Sequence, residues 1–129
     1  MTRFNIRLDD GVKMILWSIK NSKGGEIFVP KLPSFRVVDL VKALPSNIKT
    51  KIIGIRPGEK IHEDMITIGD SQNTVDLGKY YAILSDSAIL KKKYPNAKKV
   101  KDNFSYNSGS NENFLSISQL KKEIIKFEK

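Results

Sequence analysis

The chain has no cysteine and one histidine among its 129 residues. The first absence excludes a disulfide scaffold, a thiol nucleophile and a zinc ribbon. The second leaves His62 as the lone imidazole. With no second ligand candidate it is a poor metal signal, and a catalytic triad would need a serine and a carboxylate converging on it. A structural or surface role is expected. No apolar run approaches the roughly 20 residues that a membrane-spanning helix needs. Met1 leads straight into a charged segment rather than a secretory leader, so the expected location is the cytoplasm. Gly-rich phosphate cradles are also missing: Gly24-Gly25 precedes a predicted strand, and neither the dinucleotide fingerprint nor the Walker pattern occurs.

What is present is an ordinary domain's worth of material. Hydrophobic residues make up 40%, enough to bury a core, so a folded domain is expected rather than outright disorder. Lys and Arg number 23 against 14 Asp and Glu, a net charge of 23 − 14 = +9. The excess is mostly Lys and gathers between Lys91 and Lys101. Such a run reads first as a solvated surface. A nucleic-acid module is the competing reading, with Tyr94, Phe104 and Tyr106 as stacking platforms.

Periodicity predicts a mixed α/β chain. Met1 to Leu8 alternates weakly, as a strand does. Asp9 and Asp10 offer a helix start. Val12, Ile15, Leu16 and Ile19 then form an apolar face, with Trp17 nearby, and Gly24-Gly25 closes the element. Glu26 to Pro30 reads as a strand and Val38 to Leu44 as a helix stopped by Pro45. Further strands are expected over Lys51 to Ile55, Ile61 to Ile68 and Val75 to Leu84. Residues 86 to 113, rich in Lys, Asn and Ser, read as a long loop or mobile segment. Ser116 with Gln119 resembles a capping box for a last helix whose face is Ile117, Leu120, Ile124 and Phe127.

Few groupings carry chemistry. Tyr94 and Lys98 have the Tyr-x-x-x-Lys spacing of short-chain dehydrogenases, but a proline follows the Tyr and breaks the helical turn that would stack the pair. Glu59, Glu63 and Asp64 offer a carboxylate pair or merely a solvated loop. The segment Ile53-Gly-Ile-Arg-Pro-Gly-Glu-Lys-Ile-His-Glu63 is more informative. Arg56 leaves a strand end, Pro-Gly turns the chain, and Glu59 follows three residues on. A guanidinium can fork onto phosphate oxygens while a carboxylate accepts sugar hydroxyls. Pairing of Arg56 with Glu59 across the turn is the alternative.

Four segments carry a resemblance that covers nearly the whole chain. They are Met1-Thr-Arg-Phe4 with Leu8-Asp9; Gly24-Gly-Glu-Ile-Phe-Val-Pro-Lys31 with Val38-Asp-Leu40; Gly54-Ile-Arg-Pro-Gly-Glu-Lys-Ile-His-Glu63; and Phe104-Ser-Tyr-Asn-Ser-Gly-Ser-Asn111 with Phe114-Leu115. The chain resembles the C-terminal part of bacterial CapD/CapE-like nucleotide-sugar 4,6-dehydratases and epimerases, which are extended short-chain dehydrogenases of polysaccharide biosynthesis. The fourth segment is similar to the tail of the UDP-N-acetylglucosamine branch.

The resemblance implies a C-terminal substrate-binding part without its Rossmann domain, with a sugar-nucleotide-binding domain over 1–85 and a family-type tail with a terminal helix over 86–129. Arg56 then matches the residue that grips the diphosphate and Glu59 the acidic residue near the ribose, while Arg3 lies in the segment that approaches the phosphates. Asp9 is expected to cap a helix rather than bind ligand. No catalytic, cofactor or metal residue is expected here; NAD or NADP belongs to the intact enzyme. The implied partners are a UDP-sugar, a separate Rossmann-domain polypeptide and further copies in a homo-oligomer, with no membrane. A UDP-glucose 4-epimerase would use the same rim.

Overall fold

The computed structural model describes residues 1–44 and 48–127. In chain order these form β1 (Thr2–Phe4), α1 (Leu8–Asn21), β2 (Ile27–Pro30), β3 (Ser34–Arg36), α2 (Val37–Ala43), β4 (Asp64–Ile66), a 3-10 turn (Ile68–Asn73), β5 (Thr74–Asp76), β6 (Tyr80–Ile83), α3 (Ser87–Lys93), β7 (Lys98–Lys99), β8 (Tyr106–Asn107) and α4 (Ile117–Phe127). The chain divides into two compact units whose segments interleave: Met1–Asn5, Pro33–Glu63 and Ser108–Lys129 form one, and Ile6–Leu32 with Asp64–Asn107 form the other.

The first unit is built on an antiparallel pair, β1 with β3, in which Arg3 faces Phe35. Its interior is unusually polar: Thr2, Ser34 and Ser108 are buried beside Ala43 and Leu120. Buried hydroxyls must be hydrogen-bonded. Ser34 meets this demand with its backbone amide donating to Asn113, its carbonyl accepting from Leu115 and its Oγ accepting from Asn111 Nδ2 at 2.9 Å. Helices α2 and α4 pack together in this unit. The expected capping box opens α4: Ser116 N–H donates to Gln119 Oε1 at 2.8 Å and Gln119 N–H to Ser116 Oγ at 3.3 Å. Pro45, expected to stop α2, and the Phe127 side chain, expected on α4's face, lie outside what is described.

The second unit carries a four-stranded antiparallel sheet in the order β2-β6-β5-β7, plus the pair β4-β8. β5 and β6 replace the single predicted strand over Val75 to Leu84, because Gly78 at φ 87° turns the chain there. Only glycine takes that backbone region at little cost. Val75, Ala82 and Leu84 form the core, with Phe28, Leu77, Tyr94 and Ala97 against it.

Further expectations are corrected. Lys51 to Ile55 is not a strand: no described segment pairs with it, and Ile52 is 97% exposed. β-branched composition marks a willingness to be extended, not a partner. Residues 86 to 113 are not one loop but hold α3, β7 and β8; the anchors are Tyr94, Ala97 and the buried Tyr106. And α1 turns away the face that periodicity selects. Leu16 and Ile19 are 63% and 74% exposed, while Trp17 packs instead, 4.4 Å from Tyr80 and 5.1 Å edge-on to Phe28 between ring centroids. Nor does Asp9 cap this helix: Arg7 is the N-cap residue, and Asp9 and Asp10 sit in the first turn, where a carboxylate still favours the positive end of the helix.

Candidate functional site

Arg56-Pro57-Gly58-Glu59 forms a tight turn in which Glu59 N–H donates to the Arg56 carbonyl at 3.0 Å. Gly58 sits at φ 79°, the left-handed conformation that the third turn position requires, and proline presets the second. The two side chains do not pair. One Glu59 oxygen accepts the Arg56 backbone amide at 3.2 Å, and the other lies 4.0 Å from Arg3 Nη2. Among the described residues the Arg56 guanidinium has no hydrogen bond or ion pair, and the residue is exposed.

Arg3 is far more engaged. Its Nη1 donates to the Thr2 carbonyl at 2.6 Å and to Ile61 at 3.4 Å, and its Nε is 3.6 Å from Glu63. Glu63 in turn accepts the Phe4 backbone amide at 2.8 Å. The structure therefore brings Arg3, Glu59 and Glu63 together on one side of β1, next to the turn that carries Arg56. A rim with a free guanidinium and carboxylates can hold a diphosphate next to hydroxyl-rich groups.

His62 takes no part in that rim. Its Nδ1 is 2.8 Å from Thr2 Oγ1, and its ring lies so close to Gly109 that a Cβ there would stand 2.5 Å from Nδ1. Thr2 and Ser108, which complete the arrangement, lie in the first and fourth of the segments that carry the resemblance, but neither residue marks a link to His62; they are 106 residues apart and meet only in the fold.

Tyr94 and Lys98 are not a catalytic dyad. The Tyr94 hydroxyl donates to Glu26 at 3.1 Å, and Lys98 lies in exposed β7. Burial, then the bond and charge of Glu26, push the Tyr94 phenol up to about 12, the opposite of what a proton-accepting tyrosine needs. Burial works to raise the Glu26 carboxyl, but hydrogen bonds from Ser22, Tyr94 and backbone amides outweigh it and hold it below its ordinary value. This clamp sets a pH dependence. The raised phenol contributes stability that is complete below pH 10 and lost as pH climbs from 10 through about 12, and the lowered carboxyl contributes stability lost as pH falls below 4.5. The melting-temperature gap between wild type and Tyr94→Phe is therefore expected to shrink above pH 10; parallel curves to pH 12 would count against the clamp.

The other aromatics of the basic stretch are also spent. Phe104 packs 5.2 Å from Tyr81, and the Tyr106 hydroxyl bonds both the amide and the carbonyl of Leu32 at 2.7 and 2.9 Å. Lys91, Lys92, Lys98, Lys99 and Lys101 are exposed.

Residues 1–85 match the family model described as "Polysaccharide biosynthesis protein". The chain belongs to this family. It is 44% identical over 128 residues to a protein named UDP-N-acetylglucosamine 4,6-dehydratase (inverting) from Campylobacter jejuni, covering 93% of this chain and 38% of that one. It is 38% identical over 94 residues to a Rickettsia canadensis protein named UDP-glucose 4-epimerase, covering 70% of this chain and 28% of that one. The solved structure "X-ray structure of Pen from Bacillus thuringiensis" superposes with a TM-score of 0.77 at 28% identity, over 98% of this chain and 37% of that one. The chain thus spans under two fifths of the length of these relatives, and its mixed α/β structure is that of a partial extended short-chain dehydrogenase domain. Among the described residues, no helix is long and apolar enough to cross a membrane.

Proposed function

We propose that this chain is the UDP-sugar-binding portion of a nucleotide-sugar 4,6-dehydratase/5-epimerase that serves surface polysaccharide synthesis, such as O-antigen or capsule, in the cytoplasm. The observation that carries the reading is the Arg56 guanidinium, without an ion pair among the described residues and set on a hydrogen-bonded turn beside Glu59 and Arg3. Arg56 takes the diphosphate, Nη2 of Arg3 supplies further donors, and Glu59 accepts from the ribose. The names of the Campylobacter relatives support a UDP-N-acetylglucosamine substrate, and those of the Rickettsia relatives favour a UDP-glucose 4-epimerase as the second reading.

NAD or NADP does not fit the residues of this chain. The paired glycines follow a helix and precede a strand, the reverse of the strand-to-helix order that cradles a pyrophosphate. Tyr94, the one tyrosine with the dyad spacing, is tied to Glu26. Hydride transfer then belongs to a Rossmann domain outside these 129 residues, and the outward apolar stripe of α1 offers such a domain a surface to cover.

Calorimetric titration of the 129-residue protein with UDP is the direct test: saturable binding that persists in modest salt is expected. Binding of single-stranded nucleic acid that collapses as salt rises, with no UDP response, would instead identify a basic nucleic-acid module. The purified chain is also expected neither to bind NAD(P) nor to turn over UDP-N-acetylglucosamine, and turnover free of contaminating enzyme would overturn the assignment of catalysis to a partner.

A further inference from the structure

The hydrogen bonds behind β1 run in one direction. Ser108 is fully buried, and its Oγ is 2.8 Å from the Glu63 backbone N–H, which can only donate. Ser108 Oγ therefore accepts that amide and must place its own proton elsewhere. The one further oxygen within reach among the described residues is Thr2 Oγ1, at 2.7 Å. A buried hydroxyl proton is not left unpaired. Thr2 Oγ1 thus accepts from Ser108 and directs its own proton to Nδ1 of His62 at 2.8 Å. The chain reads Glu63 N–H to Ser108, Ser108 O–H to Thr2, Thr2 O–H to His62. Nδ1 is the acceptor, and the neutral imidazole carries its proton on Nε2.

Strand alternation divides the two sides of β1. Thr2 faces His62 and Ser108, and Arg3 faces Glu59 and Glu63. The same short stretch, Ile61 to Glu63, serves both sides. Thr2 N–H donates to the Ile61 carbonyl at 2.9 Å, and Glu63 and Ser108 exchange two further bonds at 2.8 Å through Ser108 N–H and Oγ. Gly109 lets the ring lie flat against the backbone, since any side chain there would overlap it.

We propose that His62 is a positioning residue. Held as its Nε2–H tautomer by Thr2 and Ser108 and backed by Gly109, it pins the register of β1 on Ile61 to Glu63 and so aims Arg3 and Glu63 on the opposite face. This rests on the reading of that face as the UDP-binding rim.

Because His62 is the only histidine, a long-range nitrogen–proton correlation spectrum of the whole chain reports on it alone. At mildly alkaline pH the expected spectrum shows a protonated Nε2 and a bare Nδ1; a protonated Nδ1 would overturn the chain's direction. In Thr2→Val the tautomers should mix, the Arg3 Nε–H resonance should shift and broaden, and UDP affinity should drop about two- to tenfold, the worth of a neutral hydrogen bond. Thr2→Ser should restore all three. Gly109→Ala, which displaces the ring and leaves both hydroxyls in place, should reproduce the valine result and provides the test if that variant does not fold. An unchanged Arg3 resonance when the ring is displaced defeats the proposal. Failure of wild type to bind UDP defeats the rim assignment, while the Arg3 resonance still decides the positioning role.

Discussion

Replacing Arg56 with alanine is expected to weaken UDP binding roughly tenfold to a hundredfold, since a charge-assisted hydrogen bond contributes about 1.5–3 kcal/mol. The guanidinium makes no internal ion pair among the described residues, so its removal breaks nothing in the free protein and the melting temperature should hold. Arg56→Lys should recover part of the loss, because an ammonium cannot make the two-pronged contact. Glu59→Gln should cost less than Arg56→Ala: an amide oxygen still accepts one hydroxyl bond and can still take the Arg56 backbone amide. The informative comparison is calorimetric titration beside thermal melting. Unchanged UDP affinity with a lowered melting temperature would make Arg56 structural and the binding assignment wrong.

The second large effect concerns the core. Ile66→Ala is expected to cost about 2–5 kcal/mol, and Ile66→Val about 0.5–1.5 kcal/mol. Ile66 has no exposed surface and sits in β4 opposite Tyr106 of β8, so truncation leaves a cavity that neighbours cannot readily fill. Ile68, two residues on, is 58% exposed, and Ile68→Ala should fall within about 0.5 kcal/mol. Denaturant midpoints at unchanged slope measure both. Equal losses at the two positions would mean that the burial contrast between them does not hold.

These paired isoleucines illustrate what was legible. Of the strand expected over Ile61 to Ile68 the structure keeps only Asp64–Ile66, and Ile68 opens the 3-10 turn; by sequence Ile66 and Ile68 are indistinguishable, and only the pairing with β8 buries the first and not the second. α1 makes the same point. Its period is unmistakable, yet the stripe that the period selects is exposed and Trp17 is the residue that packs. Periodicity reports a helix and an apolar side; it does not report which neighbours exist to cover that side. The capping box at Ser116 was readable because it is local. The one at Thr67 and Asp70, where Thr67 Oγ1 donates to the carboxylate at 2.6 Å and keeps Asp70 below its ordinary value, was hidden inside an apparent strand.

By itself the sequence determined the family resemblance, carried by four segments spread along the chain, and the order of short range: the Pro-Gly turn that presents Arg56 and Glu59, and the α4 cap. Each of these two local features depends on residues within a few positions of one another, where backbone geometry decides the outcome. Tertiary structure decided that Arg3 joins Glu59 and Glu63 across more than fifty residues, and that Thr2 and Ser108 meet His62. Threonine and serine are ordinary surface residues until burial removes water as a partner. Their hydroxyls then acquire a required direction, and that requirement exists only in the folded chain.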